Sequence, residues 1–539
     1  MKNLFKTSIT LLILGSVIAS CHKIDVPVTT ELTPNVFPQD SMQFVEAAGA
    51  AYVALRGNYA LDYWFMQSAS TDESILPSRG GNWYDNQNYS MLHYHNWTKD
   101  HGWTGSCWGY LSKVIGVSNQ AMNILGTTMP EGVNKNRTIA ELKMVRAIGY
   151  FMMMDLYGNV PLDTTYGDFT PHTNVPRAQV FNFIEQDVKS CLPYLSREVS
   201  TATYGRATKF TAYALLAKMY LNAAYYTGTQ RYDDCIAACD SVINSGKYAL
   251  EPRSTYLNQF YPNNGPNDKE FIFAIPYSPI YATAYGLNGY MYFARYDVPR
   301  SEAAKFSLPF TPSAPRSTLP EFYAYFNDPG DIRNAQWLTG LQYMSDGVTP
   351  VTVKTTNKGY DFQYSGNNPN GSYTYQVNLT PNILLRLNPA TFDLGNDEIA
   401  WNMGYRNIKF FPDATSTNRN QNNDMPMFRY SDIILMKAEA ILRGGTATSG
   451  ATALSLVNLL RANRSTSAPW TNVTLDSIYN ERCREFAWEG WHRNDMIRFG
   501  KYEGAWGFKT DNNTYKRIFP IPTSAMQVNT ALVQNPGYN

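Results

Sequence analysis

The chain has 539 residues, 44% of them hydrophobic and 17% charged, which exceeds one ordinary domain unless helical repeats build a continuous body. Its 45 basic and 44 acidic residues leave a net charge of +1, which argues against nucleic acid as a partner and against membrane binding by charge alone. Six histidines and scattered cysteines give no zinc pattern, and no cofactor is implied.

At the N-terminus, Lys2 and Lys6 precede a short apolar run from Ile9 to Ile18 that is too short to span a bilayer. The run stops at Ile18-Ala19-Ser20-Cys21. Small residues directly before a cysteine predict a lipoprotein signal rather than a plain secretory one: residues 1–20 are removed and Cys21 carries the lipid. Two or more acyl chains anchor stably where one does not. Residues 21–40, punctuated by Pro27, Pro34 and Pro38, read as an extended tether. With Cys21 acylated, Cys107, Cys191, Cys235, Cys239 and Cys483 remain and cannot all pair; Cys235 and Cys239, one helical turn apart, suit a packed helix face.

Residues 41–539 are read as one body, with an N-terminal part (41–250), a loop-rich insertion (251–430) and a C-terminal part (431–539). Composition places ligand-facing loops in 60–110 and 250–430. The first span carries Trp83, Tyr84, Tyr89, Tyr94, Trp97, Trp103, Trp108 and Tyr110 together with Arg79, Asn82, Asp85, Asn86 and Asn88. A sugar ring stacks its C–H face on an indole or phenol, and its hydroxyls bond amides, carboxylates and guanidinium groups. Trp97, Trp108 and Tyr110 fit a core, whereas Trp83 and Tyr84 follow Gly80-Gly81 and belong on a turn. Arg79, Asn82, Trp83, Tyr84 and Asp85 are therefore the first candidate wall. With no strong net field, such a site is expected to read shape and hydroxyl pattern rather than charge. His93, His95 and His101 lack a carboxylate or cysteine to complete a metal set and are expected to be hydrogen-bonded; alternate positions would share a face only on a strand.

Helical periodicity and small residues predict paired helices at 138–157 with 176–195, 207–225 with 232–245, and 431–443 with 450–463, plus a packing helix at 474–489. The fold class is mainly α: a tetratricopeptide-like helical repeat scaffold with long irregular loops and few short strands, one of them at Phe271–Ile275. Within 250–430, Tyr281, Tyr285, Tyr290, Tyr292 and Tyr296 lack helical spacing and form the second candidate wall.

The densest block, Glu481 to Gly500, holds Arg482, Arg484, Arg493 and Arg498, four carboxylates (Glu481, Glu485, Glu489 and Asp495) and interleaved aromatics. It is expected to be a helix whose charges pair with one another, bent or ended at Gly490. Glu485 and Glu489 raise the possibility of glycoside hydrolysis, which needs two acids across a cleft, but one turn apart on one helix beside Arg484 and Arg493 they read as ion-pair partners. No phosphate loop or nucleophile motif is present.

This block resembles the C-terminal signature of the SusD/RagB family, the surface glycan-binding lipoproteins of Bacteroidetes-type bacteria. Ser70-Thr-Asp-Glu73, Arg146 to Pro161, Asp424 to Ala440, and Tyr515 to Pro522 with Asn535 to Tyr538 resemble further segments of that family, in its order. The resemblance implies a helical scaffold on the outer face of the outer membrane, held by lipid, and a SusC-like TonB-dependent transporter beneath it over which the protein closes as a lid. It implies a non-catalytic binding role, with oligosaccharide as ligand, peptide capture as an alternative, and a surface glycosidase as a third reading. Starch-binding members carry closely spaced tryptophans just after the Thr-Asp-Glu segment; here Ser74-Ile-Leu-Pro-Ser-Arg79 stands there, so starch is not carried over.

Overall fold

The computed structural model describes residues 37–280, 289–355, 373–385, 392–395, 398–417 and 419–538. Cys21 and most of the tether, with Tyr281 and Tyr285, lie outside the described residues. Helices dominate and stack as successive packed pairs, a tetratricopeptide-like scaffold. Ser41–Gly57 packs on Gly102–Thr128, which packs on Val133–Tyr157, and that helix on Arg177–Cys191. Lys209–Leu221 packs on Tyr232–Ile243, which meets Tyr430–Leu442; Ala453–Ala462 and Leu475–Phe486 close that side. The late repeat, distant in sequence, thus continues the same stack.

Local chemistry starts several of these helices. Thr208, Thr452 and Thr474 each cap a helix and pair reciprocally with Thr211, Ser455 and Ser477 three residues on, satisfying backbone N–H groups that the first turn leaves free. Small residues set the helix spacing: a Cβ on Gly149 would lie 3.1 Å from Val114 Cγ1 and 3.2 Å from Ile115 Cγ1.

Gly102–Thr128 is one long helix, where residues up to 110 are expected as ligand-facing loop; its glycines at 102, 105, 109, 116 and 126 lower helix propensity. Its burial against two neighbours outweighs that, and it moves residues 102–110 from the expected ligand-facing loop into the scaffold. Trp97, Trp108 and Tyr110 are buried, with Trp97 Nε1 donating to Tyr538 Oη at 2.7 Å and the Tyr110 hydroxyl to the Leu55 carbonyl at 2.6 Å. Phe271–Ile275 pairs antiparallel with Met425–Arg429, both strands fully buried. One apolar core includes residues from Ala51 to Tyr538, a second lies under the late repeat, and a small third joins Leu338, Val351, Val377 and Leu379. Among the described residues no helix is long and apolar enough to cross a membrane, and the five described cysteines are free and buried.

Candidate functional site

The Glu481–Gly500 block is two helices, Leu475–Phe486 and His492–Arg498, separated by a turn in which Trp488 and Gly490 take φ of 66° and 76°. The predicted helix therefore ends earlier, at Phe486. Its charges also reach further than expected: most partners come from other segments. Glu485 lies 3.0 Å from Arg333, 2.9 Å from Arg429 and 3.0 Å from Arg464, while Glu489 meets Lys409 at 2.5 Å and Arg429 at 2.7 Å. Within the block, Glu481 pairs with Arg484, and Asp495 with Arg482 and Arg498. Arg493 lies 3.6 Å from Asp155, and Arg498 also holds Glu439. All these groups are buried except Arg498, a half-buried residue whose side chain is 4% exposed. Burial acts to raise the Glu485 pKa, but Arg464, Arg429 and Arg333 hold it well below the usual range. A carboxylate so held is ionised and fully hydrogen-bonded, the opposite of what a general acid needs.

The other cluster faces outward. Arg79 and Asn82 exchange backbone hydrogen bonds of 2.8 and 3.3 Å, closing a tight turn over Gly80 and Gly81. Both glycines take positive φ and donate their N–H groups to the Asp393 carboxylate at 3.0 and 3.2 Å. The backbone beyond stays left-handed at Trp83, Asp85, Asn86 and Gln87. Such positions cost about 1–3 kcal/mol each in non-glycine residues and gather at ligand clamps. The turn brings the Trp83 ring to 5.4 Å from that of Tyr296, tilted by 58°. Tyr296 stands in turn on Phe65 of the core at 5.4 Å, so the platform has a rigid base. Tyr290 and Tyr292 stack at 5.0 Å, and Arg295 stands 5.4 Å from the Trp83 centroid and 5.6 Å from that of Tyr292. Two walls far apart in sequence thus converge on one half-buried patch.

Individual candidates divide. Trp83, Tyr290 and Tyr292 are half-buried, Asn82, Tyr84 and Asp85 are exposed, and Tyr296 is 7% exposed. Arg79 departs from its expected place at the ligand surface: it is fully buried, its guanidinium turned to the Pro77 and Pro315 carbonyls at 3.4 and 3.3 Å. Tyr292 and Tyr296 lie one helical turn apart across the short Phe293–Asp297 helix, against the expected lack of helical spacing in this loop-rich span. Arg295, between them, was missed; a lone arginine among tyrosines gives no signal in sequence. His93 sits in the Asn88–Tyr94 helix and not on a strand. His95 bonds the Ser70 carbonyl at 2.8 Å, and His101 meets Thr104 and the Asn88 carbonyl. His93 departs from the expectation, with neither ring nitrogen partnered; burial pushes its pKa down to about 3, and it packs on Phe392 at 5.0 Å. Among the described residues no group of His, Cys, Asp and Glu is arranged to hold a metal ion.

Comparison with known proteins places the molecule. A model described as "Starch-binding associating with outer membrane" matches residues 40–221, and the SusD family model matches residues 214–538. The starch-binding protein SusD of Bacteroides thetaiotaomicron is 25% identical over 486 residues, covering 85% of this chain and 82% of that protein. A SusD-like protein of Bacteroides ovatus is 25% identical over 458 residues, covering 81% and 73%. Among solved structures, a laminarin-binding SusD-like protein shares the fold with a TM-score of 0.69 at 21% identity, over 93% of this chain and 100% of that one. Surface glycan-binding protein A of Bacteroides thetaiotaomicron, in complex with laminarihexaose, does so with a TM-score of 0.68 at 19% identity, over 92% and 99%. The family match spans more than half of the chain and carries the charged block, the late repeat and the terminus: the chain belongs to the SusD family.

Proposed function

We propose that the protein is a non-catalytic, cell-surface glycan-binding lipoprotein that captures oligosaccharide on the platform of Trp83, Tyr292 and Tyr296 and delivers it to a SusC-like TonB-dependent transporter of the outer membrane. The observation that carries this reading is the convergence of rings from two distant segments onto one half-buried surface, edged by exposed Asn82, Tyr84 and Asp85. The relatives support it: one is a starch-binding protein, and one solved structure holds laminarihexaose. Lipidation at Cys21 would hold the protein to the outer membrane of a Bacteroidetes-type bacterium. The burial and pairing of Glu485 and Glu489 speak against a glycosidase.

The transporter contact is best sought on an apolar groove of about 420 Å³ between Gly102–Thr128, Val133–Tyr157 and Thr523–Val528, lined by Trp108, Ile115, Met153 and Leu532. Val528 lines it and is 87% exposed, and Phe169, three residues before His172, is 91% exposed. The Phe169 loop is tied to the same face, because the Asn529 amide donates to the His172 carbonyl and Asn174 bonds the Val533 backbone. Val528→Glu with Phe169→Glu is expected to abolish co-purification of the transporter without lowering the melting temperature; retained co-purification would remove this face from the interface.

Trp83→Ala is expected to weaken glycan binding by about 1–3 kcal/mol, the scale of ring stacking. The melting temperature should move little, since a half-exposed ring leaves no closed cavity, whereas a core tryptophan would cost about 3–5 kcal/mol. Titration calorimetry beside a thermal melt separates the two. Binding to peptides but to no glycan would favour peptide capture, and release of product from any glycan would revive the enzyme.

A further inference from the structure

Around the ring platform the charges do not balance. Nearby arginines are matched: Arg300 pairs with Glu398, and Arg316 lies 2.5 Å from Asp297. Arg295 is not. It stands against the Trp83, Tyr292 and Tyr296 rings, its Nε is buried without a hydrogen-bond partner, and no described carboxylate lies within salt-bridge distance. Arg419 is exposed and equally without a described carboxylate. Burial and Tyr290 push the Tyr292 hydroxyl pKa up, against the pull of both these arginines, and the Gln421 N–H, two residues beyond Arg419, bonds the Met291 carbonyl at 2.9 Å and ties the two segments together. Arg56, half-buried with Nε and Nη2 unpartnered, presses so close to Gly289 that a Cβ there would come within 2.8 Å of its Nε.

The carboxylates on this side are fewer. Asp393 accepts from the N–H groups of Gly80, Gly81 and Gly395 and keeps its charge behind the turn, and exposed Asp85 stands at the platform edge; Arg295, Arg419 and Arg56 outnumber these two. Behind the turn, Arg79 and Arg406 are buried and reach only carbonyl oxygens, adding positive potential. The net charge of +1 for the whole chain conceals this local excess.

We propose that the glycan held on this platform is acidic, and that Arg295 receives a carboxylate or sulfate group of the sugar while Arg419 and Arg56 add to the field. The inference rests on the glycan-binding reading above. Stacking on a ring uses the face of a guanidinium and leaves its in-plane N–H donors free. Those donors form a planar fork that matches two oxygens of a carboxylate or sulfate. A neutral hydroxyl satisfies one donor and leaves the charge unmatched.

Titration calorimetry on the full chain tests this with three probes of equal length: an oligogalacturonate, a sulfated galactan oligosaccharide and a neutral laminari-oligosaccharide. One acidic probe is expected to bind at least about tenfold more tightly than the neutral one, and which of the two it is assigns carboxylate or sulfate. That preference should shrink as salt is raised, vanish in Arg295→Gln and survive in part in Arg295→Lys. If Arg295→Gln lowers the melting temperature, exposed Arg419→Gln replaces it, with an expected loss of about two- to threefold in acidic-probe affinity alone. Equal or tighter binding of the neutral probe, lost in Trp83→Ala, overturns the acidic inference and leaves the glycan-binding reading intact. Failure of all three probes and of a wider glycan panel overturns both.

Discussion

Glu485→Ala is expected to destabilise the protein by about 3–5 kcal/mol, the cost of breaking a buried ion pair. The removed carboxylate touches Arg333, Arg429 and Arg464, all fully buried, so bulk solvent does not reach the charges left behind. Each guanidinium retains another partner: Asp331 and Glu481 for Arg333, Glu270 and Glu489 for Arg429, and Glu270 for Arg464. The charge balance of the cluster nevertheless shifts by one unit in a medium that screens poorly. Unfolding entropy scales with length, at about 2.1 cal/mol/K per residue, so for a chain of this size the loss corresponds to about 3–5 °C in melting temperature. Glycan affinity per folded molecule should not change, because the platform shares no residue with this network. A variant that melts normally but no longer binds would move the block into the binding site.

Acidification is the second large effect. Burial alone would raise the Glu481 pKa, but Arg333, Arg484 and Arg461 bring it down to about 2. The folded state thus holds this carboxylate ionised where the unfolded chain protonates it near the ordinary value of about 4.5. Its stabilisation is complete above that value and is lost as pH falls toward 2, about 3 kcal/mol from this group at 1.36 kcal/mol per pKa unit. Glu485, Glu439 and Asp432 are shifted in the same direction by their own arginine and lysine partners against the effect of burial. Asp424 opposes them: burial raises it to about 6, and burial likewise raises Glu73, Glu141, Asp297 and Glu302, so these penalties ease as pH falls. Urea midpoints measured against pH should therefore hold or rise slightly down to about pH 4.5 and fall steeply below it. A flat profile to pH 3 would mean that the network contributes no net stability.

The scaffold was legible where physics is local. The repeating apolar faces at 138–157 and 431–443 need only neighbours in sequence. Gly102–Thr128 was not, because its stability comes from two helices packed on it, which a glycine-rich run does not announce. The binding platform was half legible. Trp83 and the Tyr290–Tyr296 cluster were both visible as aromatic runs among turn residues. Their meeting depends on residues 313–317, whose backbone bonds Arg295, Tyr296 and Ile75 and so ties the two segments together. The inward turn of Arg79 follows from the same bridge, since the Pro315 carbonyl receives its guanidinium. The partners of Glu485 were invisible for a similar reason: they lie 21 to 152 residues away.

That separation sets the order in which the molecule is able to fold. Whether from a ribosome or a translocation channel, Arg333, Lys409 and Arg429 emerge before the carboxylates at 481, 485 and 489. Until then Lys409 lacks Glu489 and Arg429 has Glu270 alone among its buried partners, while Phe271–Ile275 must wait about 150 residues for its strand partner Met425–Arg429. Contacts of such long range are slow to form, because the entropy of closing the loop is spent before any of them rewards it. The block from Glu481 to Gly500 therefore acts as a completion signal: a chain stopped short of it is expected to hold helix pairs around Arg333, Lys409 and Arg429 whose buried charges still lack Glu481, Glu485 and Glu489.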